Sequence, residues 1–200
     1  MSGNSERIVA SDPETFSVTI LFTGYAIPVE HSANAMRANC SCVLLRGDND
    51  VCAIVDPLTP WDKDKLIEAS GRWWEIAFQE ETFTKQLISE AVCNWDTSAT
   101  FPEINIGGLR IVSTPGHTQE CVTVLAKTHD YGLLAIAGDL FENENDVSDP
   151  SQWLSAGSWD PETQRKSRYH IATLADTIVP GHGQLFRVTE DIRNKLREQC

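Results

Sequence analysis

Positive charge is scarce in this chain. Against 29 Asp and Glu stand 16 Lys and Arg, a formal net charge of −13, and the densest basic stretch is QRKSRYH over residues 164–170. An acidic surface repels a phosphate backbone, so broad nucleic-acid binding is disfavoured, although a metal site that grips one phosphate locally is compatible with it. Long hydrophobic runs are missing too. No apolar stretch approaches the roughly 18 residues of a membrane span, and the opening MSGNSERIVASDPET has no hydrophobic signal core. The expectation is no membrane association and a cytoplasmic (cytosolic) location, with nuclear entry by diffusion or alongside a partner.

The six cysteines, Cys40, Cys42, Cys52, Cys93, Cys121 and Cys200, follow neither a disulfide nor a zinc-ribbon spacing. Three fall inside apparent strands, which points to reduced core thiols. Cys40 and Cys42 flank Ser41, and alternate residues of a strand merely share a face. With 41% hydrophobic and 22% charged residues the composition is that of a globular chain. Two hundred residues suit one domain. We place it at 14–200, with 1–13 a flexible N-terminus and 70–100 an atypical segment.

Strand patterns appear at FSVTILFTG (16–24), CSCVLLR (40–46) and VCAIVD (51–56), the last two joined by the turn GDND. This reads as an antiparallel meander. Helical patterns follow over 59–70, with Thr59 as N-cap and Pro60 in the first turn, and over 75–92. After a loop the chain returns to strands at 103–106, 109–113, 121–127 and 133–138. A loop rich in Asp, Asn and Glu leads to a helix over 161–175, a strand at 176–180 and a last helix over 189–198. Two β-rich blocks, each followed by helices, imply two sheets face to face with helices outside.

Three turns share one grammar. His117 ends VSTPGH, Asp139 ends LLAIAGD and His182 sits in TIVPGHG. In each, a hydrophobic strand stops at a glycine-containing turn and presents a metal-capable side chain at once. Mixtures of imidazole and carboxylate suit zinc or iron. The remaining histidines differ: His31 lies in an early loop, His129 in the turn THDYG and His170 on a helix, where solvated or hydrogen-bonded roles are expected.

The ordered set TPGHT, AGDLF and VPGHG resembles the metallo-β-lactamase fold hydrolases, as do FSVTILFTGYA, PWDKDKL, GDLFENENDVSDPSQW and PGHGQLFRV. The likeness covers residues 14–69 and about 104–190. It implies an α+β fold, an αββα sandwich of two mixed sheets with outer helices, carrying up to two Zn2+ ions at the sheet edge. It also implies that His117 is a ligand of the first metal, that Asp139 bridges both, and that His182 binds the second. The branch it points to is a homodimeric endoribonuclease acting on histone pre-mRNA 3′ ends, which makes RNA the implied substrate. Thioester hydrolysis of the glyoxalase II type shares the same motifs.

The family's His-x-His-x-Asp-His segment is absent: no histidine lies between His31 and His117, the interval is short, and PLTP follows Asp56 where Thr-Gly is expected. Zinc sites draw on about three or four protein ligands. Three residues shared between two ions therefore predict weak or partial metal occupancy, and a fold incomplete in its first half. Cys93 and Asp96 are ligand types within the atypical segment, but the acids around them read as a solvent face. The chain is thus either an impaired hydrolase or an inactive form that binds partners or dimerises.

Overall fold

The computed structural model describes residues 15–30, 35–47, 52–56, 101 and 103–200. The helical patterns over 59–70 and 75–92, the segment 70–100, residues 1–13 and His31 lie outside them. Eleven strands are described: β1 (Phe16–Phe22), β2 (Tyr25–Pro28), β3 (Met36–Asn39), β4 (Cys42–Gly47), β5 (Cys52–Val55), β6 (Glu103–Ile106), β7 (Leu109–Ser113), β8 (Val122–Thr128), β9 (Gly132–Gly138), β10 (Thr177–Pro180) and β11 (Phe186–Arg187). The described helices are α1 (Ser151–Ala156), α2 (Pro161–Leu174) and α3 (Glu190–Gln199).

The meander β1–β4–β5 forms as the alternation implies, with Val18 opposite Leu45 and Leu44 opposite Ile54. The hairpin β2–β3, which pairs Tyr25 with Asn39, is inserted between β1 and β4 and was not anticipated. Its residues alternate weakly, and five of them are exposed. The second block runs β6–β7–β8–β9–β10–β11. The two blocks join at β8, where Phe16 meets Thr128, giving one branched mixed sheet.

Period-two alternation in β8, β9 and β10 sends successive side chains to opposite faces. Ala126, Leu134, Ile136 and Val179 cluster with Phe16, Val43 and Leu45 of the first block. Leu125, Ala135, Ala137 and Ile178 instead pack under Ile171, Ala172, Ile192 and Leu196 of α2 and α3. The result is two β layers face to face with helices outside the second. Each fully buried Leu, Ile or Phe contributes roughly 1.5–3 kcal/mol by leaving water.

Helix α2 starts at Asp160, whose Oδ1 accepts hydrogen bonds from the amides of Glu162 and Thr163, each at 3.1 Å, with Pro161 in the first turn. The helix is the crossover between the parallel neighbours β9 and β10. The acidic loop after β9 is more ordered than its composition suggests. It holds a 3-10 turn over residues 144–147 and α1, which buries Trp153 completely.

Candidate metal centre

Strand direction puts the three motif residues at one rim. β7 is antiparallel to β8, β8 is antiparallel to β9, and β9 is parallel to β10. The C-terminal ends of β7, β9 and β10 therefore lie on the same edge, and His117, Asp139 and His182 follow those ends by four, one and two residues. A register shift opposite Gly138, which has a positive φ of 51°, turns the chain so that Asp139 leaves the sheet.

Asp139 divides its carboxylate between the two imidazoles. Its Oδ1 lies 3.2 Å from His182 Nε2, and its Oδ2 lies 3.6 Å from His117 Nε2. The far nitrogen of each ring is already engaged: His182 Nδ1 donates to the Asn39 carbonyl at 3.1 Å, and His117 Nδ1 to the Gly157 carbonyl at 2.9 Å. Each imidazole thus spends one N–H on a backbone oxygen and turns its other nitrogen toward a carboxylate. That arrangement needs a second proton on the ring or a cation between the two groups, and it matches the way outer partners fix metal-binding histidines.

Two further groups, unanticipated from sequence, complete the cluster. Cys40, just before β4, points its Sγ at Asp139 Oδ1 at 3.2 Å, and the donor atoms of Cys40, Asp139 and His182 all lie within 4.8 Å of one another. Glu142 has its Oε2 3.6 Å from His182 Nε2 and is 7% exposed. Only Asp139-x-x-Glu142 carried a local sequence signal. Cys40 is distant in sequence from every partner, and its role as a plain core thiol must be corrected. Of the five described cysteines, none in a disulfide, only Cys42 is buried; Cys40 and Cys121 are partly so, and Cys52 and Cys200 are exposed.

The electrostatics reflect this crowding. Burial raises Glu142, with repulsion from Asp139 adding to it, from 4.5 to about 7. For Asp139 burial acts upward, but the hydrogen bond and charge of His182 outweigh it and hold the carboxyl below its usual range. His182 is lowered by burial and raised more strongly by Asp139 and Glu142, with a net upward shift. Burial and Asp139 together push the Cys40 thiol far up, so a cation must displace its proton to use the sulfur.

The frame around the site is tied together by hydrogen bonds from α2 and the loop after β9. The His117 turn is pinned to the start of α2, where Ser167 Oγ donates to the Pro115 carbonyl at 2.7 Å and the Asp160 amide to the Gly116 carbonyl at 3.0 Å. Gln164 Nε2 reaches the Asp139 carbonyl at 3.3 Å. Fully buried Arg168 donates to the Leu140 carbonyl at 2.7 Å and to both oxygens of Asp146, whose Oδ2 also accepts from the Glu142 amide at 2.7 Å. The other described histidines stand apart: His129 lies 3.3 Å from Thr15 Oγ1, and His170 stacks on Phe101 with ring centroids 4.1 Å apart.

The fold is that of the metallo-β-lactamases. A metallo-β-lactamase-like protein of Thermotoga maritima aligns with 86% of this chain and 99% of its own at a TM-score of 0.55 and 16% identity. Metallo-beta-lactamase domain-containing protein 1 of Xenopus laevis is 31% identical over 206 residues, covering 86% of this chain and 82% of that protein. The chain therefore belongs to the family of metallo-beta-lactamase domain-containing protein 1, within the metallo-β-lactamase fold hydrolases. Its mouse member is 41% identical over 93 residues, 46% of this chain and 34% of that protein. No family model matches the chain.

The donor set fits a divalent ion of the zinc type: two imidazoles with fixed tautomers, a shared carboxylate and a thiol. Among the described residues no helix is long and apolar enough to cross a membrane.

Proposed function

We propose that this chain is a zinc-binding hydrolase of the metallo-β-lactamase fold that acts on phosphodiester bonds, with RNA at histone pre-mRNA 3′ ends as its substrate. The observation that supports it most directly is Asp139 held between His117 and His182 at the rim shared by three strand ends. His117, Asp139 and His182 would hold metal at this rim, with Asp139 shared between the His117 side and the His182 side. A zinc ion there supplies activation of water near neutral pH and stabilisation of the negative charge that develops on the substrate.

The chain's own residues prepare the rest. The Gly157 and Asn39 carbonyls orient the two imidazoles. Glu142, with a pKa near 7, can hold or release a proton at Oε2 within reach of His182. Because the chain has no histidine between His31 and His117, turnover is slow compared with a full dinuclear site. The same gap favours a second reading, an inactive chain that dimerises or binds partners. A second copy of this chain is the proposed partner, and the hairpin β2–β3 exposes Ile27 and Met36, at 50% and 59%, for such a contact.

The test is a labelled RNA carrying a histone pre-mRNA 3′ end, incubated with zinc-loaded protein beside an acylglutathione thioester. Zinc-dependent RNA cleavage that Asp139→Asn abolishes supports the hydrolase reading. Thiol release without RNA cleavage assigns the glyoxalase II type, and neither activity, together with a dimer by light scattering, assigns the inactive form.

A further inference from the structure

On the His182 side of Asp139 the family resemblance leaves an ion with two protein donors, and a thiol stands where a third belongs. We propose that Cys40 is a metal ligand, and that Cys40 Sγ, Asp139 Oδ1 and His182 Nε2 hold one zinc ion between them. The inference rests on the reading of Asp139 and His182 as metal ligands and adds a residue that reading does not contain.

Distances carry the argument. A tetrahedral zinc ion with bonds of about 2.0–2.3 Å sets its donors roughly 3.4–3.6 Å apart. Here Cys40 Sγ and His182 Nε2 each lie 3.2 Å from Asp139 Oδ1, a few tenths of an ångström short of that spacing. The third pair, Cys40 Sγ and His182 Nε2, lies within 4.8 Å, so an ion would draw the thiol and the imidazole together by side-chain rotation about Asp139.

The placement of Cys40 is also built. Its two neighbours are locked to the two residues that present the imidazole. Asn39 accepts from His182 Nδ1 at 3.1 Å, and the Ser41 amide donates to the Gly181 carbonyl at 2.8 Å. Ser41 Oγ accepts from the Gly24 amide at 3.0 Å and donates to the same Gly181 carbonyl at 3.3 Å. Strip 39–41 and turn 181–182 therefore form one unit, which aims the Cα–Cβ bond of Cys40, and the thiol contacts Asp139 Oδ1. A sulfur donor beside a carboxylate and an imidazole selects zinc over magnesium or calcium. Binding breaks the S–H bond, forms the S–metal bond and passes the proton to solvent, so atoms and charge balance.

The test uses the full chain with cobalt(II), which reports sulfur ligation as an intense near-ultraviolet charge-transfer band. The band should rise to saturation at one equivalent. Cys40→Ser should lose it and bind the ion more than about a hundredfold more weakly, because outer partners alone are worth about 10–100-fold. Cys200→Ser should keep both. A measurement without substitution runs alongside: zinc should protect Cys40 from alkylation, and a chelator should restore it. Cobalt bound without the band, or Cys40 alkylated equally fast with zinc, overturns the assignment and leaves the proposed hydrolase site intact. Failure of the wild-type chain to bind cobalt or zinc overturns both.

Discussion

Arg168 and Asp146 form an ion pair with no solvent exposure on either side chain, Nη2 to Oδ1 at 2.6 Å, and it ties α2 to the loop that follows Asp139. The pair braces the site from behind, since Asp146 also takes the Glu142 amide and Arg168 the Leu140 carbonyl. The guanidinium lies 4.2 Å from the centre of the Phe141 ring. Removing one partner strands a buried charge, at a cost of about 3–5 kcal/mol. Arg168→Ala should lower the unfolding free energy obtained from urea titration by that amount and weaken metal binding as the loop loosens. A change under about 1 kcal/mol would mean the pair is not the brace described.

Gly181 separates folding from metal binding. A Cβ there would collide with Asp139 Oδ1 and approach the Gly138 carbonyl carbon to 3.1 Å. The carboxylate is the softer neighbour and would swing away. Gly181→Ala should therefore fold with near-normal circular dichroism yet bind zinc or cobalt more weakly. An unchanged affinity in a folded variant contradicts the proximity of Gly181 to the ligand set.

Chelation should lower stability by mass action. An ion present at 100 times its dissociation constant stabilises the folded state by about 2.7 kcal/mol. Thermal melts should rise with added zinc and fall with chelator in the wild-type chain. Asp139→Asn should show neither response, and a zinc response that survives in this variant would place the ion elsewhere.

The pH dependence of the chelated protein has a definite sign. Glu142 is raised from 4.5 to about 7 by burial and by Asp139, so between these values the folded chain keeps a proton that the unfolded chain releases. That contribution to stability is full below 4.5 and is lost as pH rises toward 7. Asp56, raised from 3.8 to about 6 by burial and by Asp139, and His182, also raised, act in the same direction; His170, lowered by burial, acts against them, and the lowered Asp139, Asp149 and Asp160 act below the range. Urea midpoints should decline across this window, and Glu142→Gln should flatten the decline. A rise with pH would contradict the burial of Glu142.

Much of this was legible because the relevant signals are local. Strand–glycine–ligand turns marked His117, Asp139 and His182, and alternation marked β1, β4, β5 and β7 to β10. The helical pattern over 161–175 announced α2. What the sequence withheld depends on distance or on weak patterning. Hairpin β2–β3 has few buried side chains to give it a period. α1 is too short for a helical repeat, and it owes its place to Trp153 packing beneath Arg165 and Arg168. Cys40 meets Asp139 across 99 residues, and no spacing rule reaches that far. The readings of 59–70, 75–92 and 70–100 fall outside the described residues.

The central claim is that Asp139 and its neighbours hold a metal ion. The most direct test is zinc per chain, by elemental analysis after exhaustive dialysis, for the wild-type chain and Asp139→Asn. The account predicts one retained ion in the wild type and none in the variant. No zinc in the wild type, two tightly held ions, or equal zinc in both would contradict it.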